Sequence, residues 1–144
     1  MVPTLIYEDA REAIAWLCDA FGFTEVLRWG PDESPTAQLA VAGGAIFVSG
    51  PRVGHGSAER LALRPPRPDE LSHTVMVHVE GVDQHYEHAK QRGARILLPL
   101  EPYPFGERQY SALDLGGHLW TFTQSVADVA PEDWGGRRPR DAEG

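Results

Sequence analysis

Residues 42–48 read AGGAIFV and residues 115–121 read LGGHLWT. Each is a Gly-Gly pair opening onto an apolar-rich run, which marks a hairpin turn followed by a strand, because tight hairpins need the positive φ angles that glycine reaches without steric cost. Upstream of the first, TLIY (4–7) is a strand, followed by a helix and by strands near 24–29, 36–42 and 45–49. The helix is well delimited: Asp9 and Glu12 have capping-box spacing, Ala10, Ala13, Ile14, Leu17 and Phe21 share one face, and Gly22 ends it. Upstream of the second hairpin the order recurs. HTVMVHV (73–79) is a strand, a helix runs from about Gly81 to Arg92 with Gly93 closing it, and strands follow near 95–99, 107–114 and 118–124. Aligning the glycine pairs makes His118 the counterpart of Ala45, and Thr121 the counterpart of Val48.

Between the two units lies GPRVGHGSAERLALRPPRPDELS (50–72), whose Gly, Pro and Arg content breaks both periods and predicts a linker or a mobile flap. One helix on four strands leaves a sheet face uncovered. Two such units are therefore expected to bring their curved sheets together around a shared cavity, the predicted ligand site. The expected fold class is α+β: two tandem βαβββ modules forming a barrel-like cavity, closed within one chain or by exchange across a dimer. The expected domain spans 1–125, with module one at 1–50, a linker at 51–72 and module two at 73–125, followed by a tail at 126–144. Trp134 in that tail either pins it to the body or swings as a lid.

The chain of 144 residues is 42% hydrophobic and 24% charged, which suits one globular domain and contains no apolar run near the ~18 residues of a membrane span. The start MVPTLIYEDAR lacks the basic and long apolar segments of a secretory signal. A lone Cys18 cannot form an internal disulfide, so a reducing, cytoplasmic setting and a packing role are expected. With 13 Lys and Arg against 21 Asp and Glu, the net charge of -8 argues against nucleic acid or an anionic membrane as partner. The one basic cluster, RRPR (137–140), reads as a solvated end.

Three segments, REAIAWLCDAFGF (11–23), VHVEGVDQHYEHAKQRGA (77–94) and GERQYSALDLGGHLWTFTQ (106–124), carry a resemblance to the vicinal oxygen chelate superfamily of glyoxalases, bleomycin-resistance proteins and extradiol dioxygenases. It covers about residues 2–124 and implies a homodimer. Catalytic members hold a divalent metal through His, Gln or Glu at one position on the first and last strand of each unit. Those positions map to Val2 or Pro3, Val48, Thr74 and Thr121, none of which supplies imidazole or carboxylate. The resemblance therefore implies the metal-free, cofactor-free bleomycin-resistance-like branch, which sequesters drugs. The alternative is a metal-dependent glyoxalase-like lyase or isomerase with a displaced site. A bulge would turn His73, beside Thr74, inward to join His78 and a carboxylate such as Glu107. A metal-free acid-base pair of His78 with Tyr110 is a second enzymatic form, and an interaction module without a ligand is a third class.

If Thr74 faces the cavity, so do Met76 and His78, while Val75, Val77 and Val79 pack beneath the helices. The same alternation turns Leu119, Thr121 and Thr123 inward and sends His118, Trp120 and Phe122 to the helix side. In PLEPYPFGERQYS (99–111), prolines hold an extended loop that presents Tyr103 and Phe105. Arg108 and Tyr110 share one strand face and Glu107 and Gln109 the other; either face meets the cavity. Trp29 offers an opposite wall and Trp16 belongs to the core. The expected ligand-binding set is Trp29, Val48, Met76, His78, Tyr103, Phe105, Arg108, Tyr110 and Thr121. The expected ligand is an aromatic or amphipathic small molecule, such as an antibiotic or a metabolite.

Overall fold

The computed structural model describes residues 1–53 and 61–139. Module one is β1 (Thr4–Ile6), α1 (Ala10–Phe21), β2 (Thr24–Trp29), β3 (Thr36–Val41) and β4 (Gly44–Ser49). Module two is β7 (Val75–His78), α2 (Val82–Gln91), β8 (Arg95–Pro102), β9 (Glu107–Leu113) and β10 (Leu119–Ser125). Their sheets have the same topology, β1-β4-β3-β2 and β7-β10-β9-β8, each with its first and last strands parallel and the rest antiparallel. This is the α+β repeat expected from the sequence. Between the modules, β5 (Arg52–Val53) and β6 (Ala62–Leu63) pair antiparallel with each other as a separate two-stranded sheet within the linker. Residues 54–60 of the expected linker and 140–144 of the expected tail lie outside the described residues. Among those described, no helix is long and apolar enough to cross a membrane.

Local chemistry sets the helix ends. Asp9 is extended and its carboxylate accepts the Glu12 backbone N–H at 3.0 Å, satisfying one of the free donors of α1. Gly22 ends α1 in the left-handed region at φ 75°. The buried stripe Ala13, Ile14, Leu17 and Phe21 then packs against both sheets. Phe21 lies 5.7 Å from Trp120 and 4.7 Å from Phe122, ring centre to ring centre, on the sheet of the other module. Across the same seam Trp16 Nε1 donates to the Arg92 carbonyl at 3.0 Å and His85 Nε2 donates to the Phe21 carbonyl at 2.9 Å. The modules thus meet through their helix-covered faces in one apolar cluster, and the opposite face of each sheet stays open. The expected barrel-like cavity is not closed within the chain.

A second joint is polar. The buried carboxylate of Asp114 accepts from the Tyr7 hydroxyl at 2.5 Å, the Trp120 indole at 2.9 Å, and the backbone N–H groups of Gly116 and His118 at 2.9 and 3.0 Å. Beside it His118 Nε2 donates to the Ile6 carbonyl at 2.7 Å, and its ring lies 4.7 Å from that of Tyr7. Burial first, then the adjacent carboxylate, push the Tyr7 phenol well above its usual pKa. His118 is therefore a buried structural tie to module one, on the helix side where the alternation predicts it.

The two Gly-Gly hairpins differ in length, and this corrects the counterpart assignment. The first is a two-residue turn, with Ala42 and Gly43 at φ 44° and 87° between the paired residues Val41 and Gly44. The second holds three residues, 115–117, between Asp114 and His118, whose backbone groups bond at 3.0 Å. His118 therefore takes the place of Gly44, not of Ala45. Leu5 pairs with Val48 as Val77 pairs with Phe122, while Thr4 pairs with Phe47 as Met76 pairs with Thr121. Phe47, not Val48, is the counterpart of Thr121. Val48 is 0% exposed within the helix-side core, so the residue expected to line the cavity packs away from the open face instead.

Candidate functional site

On the open face of the second sheet, Thr121 stands between Met76 and Ser111, and Thr123 between His78 and Gln109. Glu107 precedes Gln109 and Ser111 on the same face of β9, since side chains two apart along a strand share a face. Ser111 and Thr121 share a hydroxyl hydrogen bond at 2.7 Å. The Thr123 hydroxyl donates to Glu107 Oε1 at 3.3 Å, and His78 Nδ1 lies 3.7 Å from the same oxygen. Gln109 Oε1 is shut off from solvent and has no hydrogen-bond partner among the described residues. Leu98 of β8, opposite Ser111, adds an exposed apolar neighbour. Beside this face a cleft of about 670 Å³, within the size range of small-ligand sites, is lined by His78, Thr123 and Gln124 together with Phe21, Phe23 and Ala42 of module one.

On the open face of the first sheet, Thr4, Phe47, Gln38 and Leu27 stand in register across four strands. Trp29 meets Phe47 edge to face at 5.5 Å. Leu27 is 57% exposed and Trp29 42%, against 57% for Met76 and 51% for Leu98 on the other sheet. Apolar side chains this large at such exposure on both open faces are the form an uncovered binding surface takes.

The structure settles which face of β9 is open. Arg108 and Tyr110 point toward α2: Arg108 Nε and Nη2 donate to Asp83 Oδ1 at 2.9 and 2.7 Å, and the fully buried Tyr110 hydroxyl bonds His85 Nδ1 at 2.5 Å. Burial pushes the Tyr110 phenol up and the His85 imidazole down. His85 is thereby held neutral, accepting at Nδ1 and donating at Nε2. Tyr110 and His78 lie on opposite faces of the sheet, so no acid-base pair forms between them.

Tyr103 and Phe105 occupy the β8–β9 turn, stacked on each other at 5.4 Å, with Trp134 of the tail meeting Phe105 edge-on at 5.8 Å. The Gly106 carbonyl accepts from the Val126 and Ala127 N–H groups at 2.8 and 3.1 Å, which lays the chain after β10 across this turn. Trp134 follows in a short 3-10 turn, Pro131–Trp134. Of the expected ligand-binding residues, the structure gathers Met76, His78 and Thr121 on one open face and sets Trp29 on the other. It gives Tyr103 and Phe105 an aromatic contact with the tail, and places Val48, Arg108 and Tyr110 on the helix side.

The mapped metal positions do not form a donor set for a divalent ion. Val2, Pro3, Val48 and Thr74 offer no imidazole or carboxylate, and Thr121 spends its hydroxyl on Ser111. His73 sits apart from the His78–Glu107 pair, with its ring 6.4 Å from that of His118. Among the described residues no three His, Cys, Asp or Glu side chains are grouped to hold a metal. The sequence reading did not single out Phe47 or Gln109. The extra hairpin residue hid the first, but the second was legible: Tyr110 and Ala112 make the more apolar alternate of β9, so Gln109 and Ser111 face outward.

Comparison with known proteins converges on one family. The model of the Glyoxalase/Bleomycin resistance protein/Dioxygenase superfamily matches residues 2–122. The crystal structure of TioX from Micromonospora sp. ML1 is similar at TM-score 0.69 and 32% identity, covering 88% of this chain and 98% of that one. The fosfomycin resistance protein FosX from Listeria monocytogenes, solved with Mn(II) and a sulfate ion, shares the fold at TM-score 0.61 and 17% identity over 92% of this chain and 93% of its own. An uncharacterised protein of Mycobacterium tuberculosis (strain ATCC 25618 / H37Rv) is 28% identical over 131 residues, 88% of this chain and 75% of the relative. With the repeated βαβββ topology and the match over both modules, the chain belongs to the glyoxalase/bleomycin resistance protein/dioxygenase superfamily.

Proposed function

We propose that the chain is a metal-free, cytoplasmic small-molecule-binding protein that holds an aromatic or amphipathic ligand against its open sheet faces. The observation that carries this reading is the solvent-facing apolar set: Trp29 against Phe47 on one sheet, Met76 and Leu98 on the other. Planar ligands stack on such side chains at little entropic cost to the protein. The modules meet through their helix sides, so a second copy covers the open faces and the ligand is enclosed between exchanged modules of a homodimer. One solved structure that shares the fold is named for fosfomycin resistance, which makes antibiotics the first ligand class to screen. Sequestration is the activity that a site without a metal donor set among the described residues supports.

Two experiments test it together. Elemental analysis of protein purified without chelator, with added Ni, Zn, Mn and Fe, is expected to find no stoichiometric metal. Equilibrium titration against aromatic antibiotics and metabolites is expected to find dissociation constants below millimolar. Bound metal, or no affinity across the panel, overturns the reading. The second reading, a metal-dependent lyase or isomerase, is favoured by one contact, His78 Nδ1 at 3.7 Å from Glu107 Oε1. It requires a third donor from elsewhere, and stoichiometric metal uptake lost on His78→Ala would establish it.

A further inference from the structure

Two carboxylates of module two are withdrawn from water in contrasting ways. Asp114 accepts four hydrogen bonds. Glu107, only 18% exposed at its side chain, has one long hydroxyl bond of 3.3 Å from Thr123 and an imidazole at 3.7 Å, beyond hydrogen-bond reach. Among the described residues no lysine or arginine pairs with it. A carboxylate has about four lone-pair sites, so protein donors among the described residues meet only a small part of the acceptor capacity of Glu107. One pleat further along the same face stands Gln109, whose Oε1 is buried without a donor. Two neighbouring acceptors with few protein donors on a partly desolvated face present acceptor capacity to a donor brought by a ligand, since buried polar groups are almost always paired.

We infer that Glu107 and Gln109 form the polar end of the ligand site and select aromatic ligands that carry a protonated amine, amidine or guanidinium. This rests on the reading that a small molecule lies on the open face, and it names that molecule's charge. The cationic group docks on Glu107, a turn of the Gln109 amide brings its oxygen to a second N–H of the same group, and Met76 and Leu98 flank the ring system. The net charge of -8 draws cations toward the chain before contact is made. Arg108, next in sequence, does not compete, because its guanidinium is held by Asp83 on the opposite face.

The test uses the full-length protein and three probes with one ring system: neutral acridine, cationic 9-aminoacridine and anionic acridine-9-carboxylate, titrated by fluorescence near pH 7.5. 9-Aminoacridine is expected to bind at least ~10-fold tighter than acridine, with the carboxylate weakest, in line with the strength of charge-assisted hydrogen bonds. Glu107→Gln, nearly isosteric, is expected to weaken 9-aminoacridine by roughly 10- to 100-fold and acridine far less, and Gln109→Leu to weaken the cation severalfold. Circular dichroism of each variant confirms that it folds, and Glu107→Asp serves as a second variant if Glu107→Gln does not. Acridine binding without preference for the cation, or a preference that survives Glu107→Gln, overturns this inference alone. Failure of all three probes to bind overturns the ligand reading as well.

Discussion

Replacing Tyr7 by phenylalanine removes one hydroxyl from a buried joint between the modules. Its partner Asp114 keeps three donors, Trp120 Nε1 and two backbone N–H groups, and loses the shortest of its bonds. A hydrogen bond to a charged group contributes about 1.5–3 kcal/mol net, so Tyr7→Phe is expected to destabilise by that amount. Asp114→Asn goes further. Its amide oxygen can serve the two backbone donors, but its NH2 then faces the Trp120 indole N–H, leaving a buried donor unpaired at about 1–3 kcal/mol above the lost bonds. For a chain of this size each kcal/mol lowers Tm by roughly 3 °C. Urea unfolding at pH 7, followed by tryptophan fluorescence, measures both variants and their double-mutant cycle. Because Tyr7 belongs to module one and Asp114 to module two, the coupling between them, expected at about 0.5–3 kcal/mol, reports how far the modules unfold as one. A Tyr7→Phe loss below about 0.5 kcal/mol, or two losses that simply add, would refute the claim that this network joins them.

Three further outcomes are expected. His85 is held neutral, its pKa below the usual value near 6.5 because of burial, so its contribution is fully present above about pH 6.5 and is lost as pH falls through its folded pKa; thermal unfolding from pH 8 to 5 is expected to show the decline in the native chain and a shallower one in His85→Asn. Gly106 has φ 85° and a Cβ there would collide with the Ala127 carbonyl oxygen, so Gly106→Ala is expected to cost about 1–3 kcal/mol and to free the tail, read as a red shift in Trp134 emission. Trp29→Ala, at a side chain 42% exposed, is expected to change stability by less than about 1 kcal/mol while weakening acridine binding at least ~10-fold; an unchanged titration would remove Trp29 from the site.

Periodicity and turn residues specify most of this fold because both modules are amphipathic in a simple way. The helix stripe ending at Phe21, the alternation of Val75, Val77 and Val79 against Met76 and His78, and the burial of Trp120 and Phe122 beneath the helices all follow from apolar spacing. His118 was legible for the same reason, since its neighbours fix the face it occupies. Val48 misled because the glycine pairs look equivalent, whereas the register after a hairpin depends on the number of residues in the turn and not on their identity. Arg108 and Tyr110 illustrate a different limit. A charged residue on the helix side becomes acceptable through Asp83, and a tyrosine through His85, partners at a sequence distance of 25 that no local pattern reveals. The orphan oxygen of Gln109 is of the same kind, being defined by what fails to approach it.

The extra residue in the second hairpin also governs how the duplicated halves can change. Shortening that turn by one residue would not trim a loop; it would rotate β10 by half a pleat, delivering Trp120 and Phe122 to solvent and drawing Thr121 and Thr123 into the oily interior. Mutations along β10 are therefore heard at the open face or in the core according to an odd-even rule set in the turn just before the strand. The same rule, set one residue differently in module one, gives that half an aromatic wall at Phe47 where its twin has a hydroxyl at Thr121. On the proposed reading, a molecule lying between two such halves would meet unlike ends, so its site would have a head and a tail, and a symmetric ligand would gain nothing from its symmetry.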